Sequence, residues 1–263
     1  MLKFCSLYSG SSGNSFLVQD NETNILIDCG VSGKKIIEAL TSINVPIESI
    51  CAILVTHEHV DHTQSLGTLS KKYNIPVYAN YETWNAMPTQ KDKISDNNMF
   101  YFKNNVEFKI NDLHIYPFDI PHDAANPCGF NISNNNSKIS IATDIGHLSG
   151  NILDNLKNSN FLLLESNYEP EVLKCSSYPY KLKQRIASST GHLSNIEAGK
   201  AIAYLSKFGT NNIMLGHLSK ENNFPELAYK SVCEEIANNN CDLSNINLNI
   251  ASRYEPSNFF EVG

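Results

Sequence analysis

The sequence predicts an α/β protein built as a sandwich of sheets, a single domain over residues 1–263 made of two similar β/α halves. Three observations predict it. Apolar runs of strand length alternate along the whole chain with stretches whose apolar residues recur at helical spacing. No linker, repeat or low-complexity tract divides the 263 residues, and a chain of that length can bury a sizeable core as one large domain. Several apolar runs also end in a residue able to ligate a metal or move a proton, which suggests one site at one edge of the sandwich.

Taken in order, Phe4–Leu7 and Phe16–Gln19 read as strands joined by the loop Ser9-Gly10-Ser11-Ser12-Gly13. Asn21-Glu22-Thr23-Asn24 reads as a hairpin turn before the strand Ile25-Leu26-Ile27-Asp28. Asp28 is either a turn-former beside Cys29 and Gly30 or a carboxylate that orients a ligand histidine. Ser32-Gly33 leads into a helical pattern of Ile36, Ile37 and Leu40. The β-branched run Ala52–Val55 then reads as a buried strand that ends abruptly in His57-Glu58-His59-Val60-Asp61-His62. Imidazole and carboxylate are the usual ligands of zinc and its first-row neighbours. His57 and His59 can reach one side of the loop, while Asp61 and His62 open the next segment from another angle, which supplies two ligand sets for two adjacent ions.

Leu66, Leu69 and Tyr73 have helical spacing, Ile75–Tyr78 returns as a strand, and a short helical piece surrounds Trp84. Val106–Ile110 and Leu113–Tyr116 alternate as strands, and His114 falls in their polar phase, on a solvated face. In the second half Ile120-Pro121-His122-Asp123 precedes a strand at Gly129–Ile132. Lys138–Asp144 is a strand ending in a carboxylate; Phe161–Glu165 ends likewise in Glu, and Asn212–His217 in His. Ser194-Asn195-Ile196-Glu197 is a capping box that starts a helix, with Gly191-His192 just before it. Phe224-Pro225 opens another helix through Ile236, and the alternating strand Ile246–Ile250 closes the chain.

The net charge of −7 gives no global attraction for nucleic acid, although affinity follows whichever charges face the phosphates. The seven cysteines form no C-x-x-C pair, which fits free thiols in a reducing cytoplasm. The apolar runs are strand-sized and the N-terminus lacks the apolar core of a signal peptide, so the expected location is cytoplasmic, with no membrane partner.

The succession of H-x-H-x-D-H with His122, Asp144 and His217 at strand ends resembles the metallo-β-lactamase-fold hydrolases. That resemblance covers essentially the whole chain and implies a four-layer αβ/βα sandwich with a dinuclear metal site at one edge. Ser9-Gly10-Ser11-Ser12-Gly13-Asn14-Ser15, Ile120-Pro121-His122-Asp123-Ala124, Gly191-His192-Leu193-Ser194 and Gly216-His217-Leu218-Ser219 resemble, more closely, the WalJ/YycJ-type bacterial subfamily of 5′-to-3′ exonucleases on DNA. The resemblance implies that His57, His59 and His122 hold one divalent ion, that Asp61, His62 and His217 hold the other, and that Asp144 bridges them. It implies zinc first, with manganese or iron as alternatives. Glu165 and His192 match the extra Glu and His of the nucleic-acid-processing branch, including ribonuclease Z and the β-CASP enzymes. The interval from Asp144 to His217 is too short and too ordinary for a β-CASP insertion, and the long arm of ribonuclease Z has no counterpart.

The implied chemistry is phosphodiester hydrolysis with a metal-bridging hydroxide as nucleophile. Asp61, Glu165 and His192 then form the catalytic group, His192 acting as general acid oriented by Glu165. Between those two residues, Lys174 to Arg185 holds four cations and no acid, with Tyr178 and Tyr180 available for stacking. Lys181, Lys183 and Arg185 are the candidate contacts to a nucleic-acid backbone, DNA ahead of RNA. The alternatives are a thioester or lactone hydrolase resembling glyoxalase II, which needs neither the Glu165–His192 pair nor a basic track, and a metal-stabilised scaffold without activity.

Overall fold

The structure is a computed structural model that describes residues 1–21 and 23–262. The first half of the chain forms β1 (Leu2–Tyr8), β2 (Ser15–Asp20), β3 (Thr23–Ile27), α1 (Gly33–Ser42), β4 (Ile50–Leu54), α2 (Val60–Thr63), α3 (Leu66–Tyr73), β5 (Val77–Asn80), α4 (Tyr81–Ala86), α5 (Pro88–Lys91) and β6 (Met99–Phe102). The second half forms β7 (Phe108–Ile110), β8 (Leu113–Asp119), β9 (Cys128–Ser133), β10 (Lys138–Ala142), α6 (Gly150–Leu156), β11 (Phe161–Glu165), α7 (Pro170–Cys175), α8 (Tyr180–Ile186), α9 (Asn195–Leu205), β12 (Asn212–Gly216), α10 (Pro225–Asn238), β13 (Asn247–Ile250) and β14 (Phe260–Val262).

These strands make two seven-stranded sheets, ordered β14-β1-β2-β3-β4-β5-β6 and β13-β12-β11-β10-β9-β8-β7. Each sheet is antiparallel on one side and parallel on the other, the change falling at β3 in the first and β10 in the second. The reason is in the connections. Short loops join β1–β3 and β7–β10, whereas helical crossovers carry the chain between the parallel strands.

Alternation within each strand builds four layers. Phe4, Ile25, Ile27, Ala52 and Leu54 of the first sheet meet Phe130, Ile139, Ile141, Phe161 and Leu163 of the second in one inner core. The intervening residues Leu26 and Ile53 face α1 and α3 on the outside of the first sheet. Leu162, Leu164, Ile213 and Leu215 face α9 and α10 outside the second. Covered on both faces, the parallel strands read as continuous apolar runs, each fully buried Leu, Ile or Phe contributing about 1.5–3 kcal/mol. The layering is the predicted αβ/βα sandwich.

Several elements depart from the sequence reading. Thr23 and Asn24 already pair with Asp20 and Gln19 in β3, so the connection is shorter than the turn expected over 21–24, of which Glu22 lies outside the described residues. The strand Met99–Phe102 is an element that the sequence reading did not include. Residues 246–250 do not close the chain: β14 follows and crosses back to pair with β1, Leu2 opposite Val262. The capping box is half formed. Ser194 Oγ accepts the Glu197 N–H at 3.2 Å, but the Glu197 carboxylate turns to Lys200.

Candidate metal centre

Most of the candidate ligands lie at or just beyond the ends of parallel strands; His122 follows β8, which pairs antiparallel with both its neighbours. β3 and β4 in one sheet and β10, β11 and β12 in the other run parallel to their neighbours and deliver Asp28, Thr56-His57, Asp144, Glu165 and His217 to a common rim, the usual place for ligands in such sheets. Three of these residues leave their strands through the left-handed region, with φ of 60° at Asp28, 59° at Asp144 and 54° at His217. The other seven described non-glycine residues with positive φ are all Asn, the residue that tolerates it best. Strained backbone in other residue types is thus confined to the site.

His59 caps the four-residue helix α2, which carries Asp61 and His62. Gly30 receives this turn: a Cβ there would lie 1.6 Å from the Asp61 carbonyl oxygen and 2.7 Å from the Asn14 nitrogen, which donates to that oxygen at 2.8 Å. Gly30→Ala is expected to destabilise the fold by about 1–3 kcal/mol through overpacking and to lower metal content by displacing Asp61. Urea unfolding and elemental analysis check this, and wild-type values in both would show that the loop yields.

The side chains form overlapping clusters, one of which also brings Glu165 and His192 beside Asp144 and His217. Ligand atoms of His57, His59 and His122 lie within 4.8 Å of one another, as do those of Asp61, His62 and His217. Asp144 stands between them, Oδ2 at 3.1 Å from His62 Nε2 and Oδ1 at 3.5 Å from His122 Nε2. His217 Nδ1 is 3.4 Å from Asp144 Oδ1.

The outer hydrogen bonds decide which ring nitrogen faces inward. Asp28 accepts from the Thr56 N–H (2.9 Å), from Thr56 Oγ1 (2.8 Å) and from His62 Nδ1 (2.7 Å). With its proton spent on Asp28, Thr56 Oγ1 accepts from His57 Nδ1 at 3.0 Å. His122 Nδ1 donates to the Gly191 carbonyl at 3.0 Å. Glu165 Oε1 accepts from both His192 Nδ1 and His217 Nδ1, each at 2.8 Å, while Oε2 accepts the Ile145 and Leu193 N–H groups. Five imidazoles are therefore held by Nδ1, an arrangement common around metal ligands.

What remains fits a divalent cation. His57 Nε2, His122 Nε2 and His217 Nε2 are buried without a hydrogen-bond partner among the described residues, and the buried Asp144 Oδ2 faces only His62 Nε2, at 3.1 Å. Each unpartnered atom ordinarily costs about 1–3 kcal/mol, and all four belong to the clusters just described. Burial, reinforced by His62, pushes the His57 imidazole well below its ordinary pKa, leaving it a neutral ligand. At His217 burial acts the same way but is outweighed by Asp144, Asp61 and Glu165, which raise it to about 10. At His62, Asp144, Asp28 and Asp61 likewise outweigh burial and hold the imidazole well above its usual value. The acids thus retain protons on His62 and His217 that a divalent cation would displace.

The basic stretch is rearranged relative to expectation. It forms the end of α7 and most of α8, and its cations are not equivalent. Arg185 makes two bonds to Asp123, at 2.5 and 3.0 Å. Lys183 Nζ donates to the Lys174 carbonyl at the end of α7. Lys181 is exposed and makes no ion pair among the described residues. Arg185 is nevertheless close to the centre, since Asp123 Oδ1 lies 3.5 Å from His122 Nε2. His114 pairs with Glu107 away from the cluster. The sequence reading missed Thr56, the Gly191 carbonyl and Ser9, whose Oγ accepts the His217 N–H at 2.8 Å. The motifs around Ser9 and Gly191 offered a signal, and nothing marked Thr56.

Residues 23–218 match the family described as the beta-lactamase superfamily domain. The chain is 38% identical over 237 residues to the exodeoxyribonuclease WalJ of Streptococcus pneumoniae, covering 89% of this chain and 88% of that one. It is 39% identical over 233 residues, with the same coverage, to the exodeoxyribonuclease YycJ of Bacillus anthracis. Among solved structures, the metallo-β-lactamase fold protein YhfI from Bacillus subtilis has a TM-score of 0.70 at 17% identity, over 97% of this chain and 98% of that one, which is a likeness of fold.

Proposed function

Because the chain belongs to the metallo-β-lactamase superfamily, and within it to the group of the WalJ and YycJ exodeoxyribonucleases, we propose that it is a metal-dependent exonuclease that degrades DNA from the 5′ end. The observation that carries this reading is the Glu165–His192 pair standing beside a double ligand set, since a thioester or lactone hydrolase needs no such pair. His57, His59 and His122 would hold one divalent cation, Asp61, His62 and His217 the second, with Asp144 shared and Asp28 orienting His62. Bound there, two cations, zinc with manganese or iron as alternatives, neutralise phosphate oxygens and acidify water.

The chain's own groups supply the proton transfers. Asp61, whose carboxylate is 27% exposed, receives the proton of the attacking water. His192, also partly open to solvent, donates a proton from Nε2 to the departing 3′-oxygen while its Nδ1–H stays on Glu165. Glu165 is pinned by two backbone N–H groups, so the imidazole keeps its orientation. Lys181, Lys183 and Arg185 would meet the backbone phosphates of a long substrate. A cytoplasmic setting is supported by seven cysteines that all remain free thiols, and no described helix is long and apolar enough to cross a membrane. The inner core shared by both sheets supports a single domain.

The test is incubation of the metal-loaded protein with 5′- and 3′-end-labelled single- and double-stranded DNA and RNA. Progressive release of nucleotides from the 5′ end of DNA is expected. Turnover of S-lactoylglutathione with no nuclease activity would move the assignment to the thioester hydrolases. Replacing Lys181, Lys183 and Arg185 together with Ala should raise KM on long DNA and flatten its salt dependence, by roughly one in slope for each phosphate that is no longer neutralised. Hydrolysis of bis-p-nitrophenyl phosphate by this variant, compared with that of wild type, separates weakened phosphate binding from misfolding.

A further inference from the structure

Beyond the C-terminal ends of β12 and β13, on the rim that carries His217, lies a cavity of about 320 Å3. Ser9 and Leu218 join it to the metal centre: Ser9 Oγ accepts the His217 N–H, and Leu218 follows His217 in the chain. Its other lining residues include Lys220, Phe224, Arg253 and Tyr254. The volume is at the lower end of small-molecule pockets, suited to one nucleotide unit and not to a duplex.

Two features of this lining are unspent within the fold. Arg253 donates to Ser12 Oγ at 3.0 Å and to the Leu218 carbonyl, both neutral, and no carboxylate pairs with it among the described residues. Its guanidinium lies against Gly10, where a Cβ would come within 2.6 Å of Nη1. Burial pushes this guanidinium below its ordinary pKa, as expected of a partly desolvated cation without an anion. A planar guanidinium so placed matches phosphate geometry. The second feature is a pair of aromatic side chains from different elements, Phe224 before α10 and Tyr254 after β13. They are 52% and 75% exposed, and neither packs against another aromatic ring among the described residues. Single exposed rings are ordinary; two lining one cavity beside an unneutralised arginine are not explained by packing.

Resting on the nuclease reading above, we propose that this cavity is a nucleotide subsite adjoining the metal centre, in which Arg253 and Lys220 hold a backbone phosphate and Phe224 and Tyr254 stack on the base it carries. Stacking on a ring tolerates any base and contributes to affinity at each ring, so the subsite grips a DNA end without selecting its sequence.

The test is equilibrium dialysis of the metal-loaded protein against thymidine 5′-monophosphate and, separately, inorganic phosphate. Wild type is expected to bind the nucleotide more tightly than phosphate. Tyr254→Ala and Phe224→Ala should each weaken nucleotide binding by about 5-fold or more while leaving phosphate binding as it is. Arg253→Gln should weaken both ligands, with Arg253→Lys recovering part of the loss. Because Arg253 also ties down the Ser12 loop, the two exposed aromatic variants carry the decision if Arg253→Gln misfolds. Nucleotide affinity that is unmoved in both, or no tighter than phosphate affinity in wild type, overturns the subsite. Wild-type DNA degradation is measured alongside: its absence, with nucleotide binding still dependent on the rings, keeps the subsite and overturns the nuclease reading instead.

Discussion

Replacing His192 with Ala is expected to lower the rate on DNA by about 10²–10⁴-fold, the usual worth of a positioned general acid, and to leave most of the rate on bis-p-nitrophenyl phosphate. A nucleotide 3′-oxygen leaves as a strongly basic alkoxide unless it is protonated in the transition state. A p-nitrophenolate is already stable as an anion and needs little such help. Metal content should stay at the wild-type level, because His192 belongs to neither proposed ligand set and its ring is the more open of the two that Glu165 holds. Loss of metal would make His192 a ligand, and equal loss on both substrates with metal retained would sink the leaving-group role. Glu165→Gln is not a mild companion variant. Its amide would set N–H donors against the Ile145 and Leu193 N–H groups and disturb His217 together with His192. That variant is expected to lose metal as well as rate.

Asp144→Asn should empty both metal sites and lower hydrolysis of every phosphodiester by on the order of 10³-fold or more, the several kcal/mol that metal ions contribute to such reactions. Asn is the informative substitution because Asp144 sits at φ 59°, a conformation that Asn adopts at seven other positions here. The backbone is preserved while the shared charge is removed. Asp144→Ala would add a strain cost of about 1–3 kcal/mol and confuse the readout. His217→Ala should instead mainly weaken one ion. Elemental analysis decides: two ions per chain retained in Asp144→Asn would show that the carboxylate is not shared.

The candidate ligand set was legible in the sequence to the extent that its signals are local. His57, His59, Asp61 and His62 fall within six positions after one apolar strand, so their proximity needs no tertiary structure. Asp144, Glu165 and His217 were legible because a strand buried on both faces is a largely apolar run, and the polar residues at its close mark the strand end. The four-layer arrangement follows from the same runs once helices must cover them. Tertiary structure decided everything that depends on register between distant segments. Glu165 reaches His192 and His217 at once only because β11 and β12 pair in parallel with Glu165 opposite Gly216. Thr56 relays Asp28 to His57 because β3 and β4 end side by side, and the Gly191 carbonyl meets His122 across 69 positions of sequence. The basic run read as one track, yet folding turned Arg185 onto Asp123 and Lys183 onto the end of α7. Spacing along a chain determines which side chains share a strand end or a helical turn; which partner each one meets is settled by strand pairing and packing, whose contacts join residues with no relation in sequence.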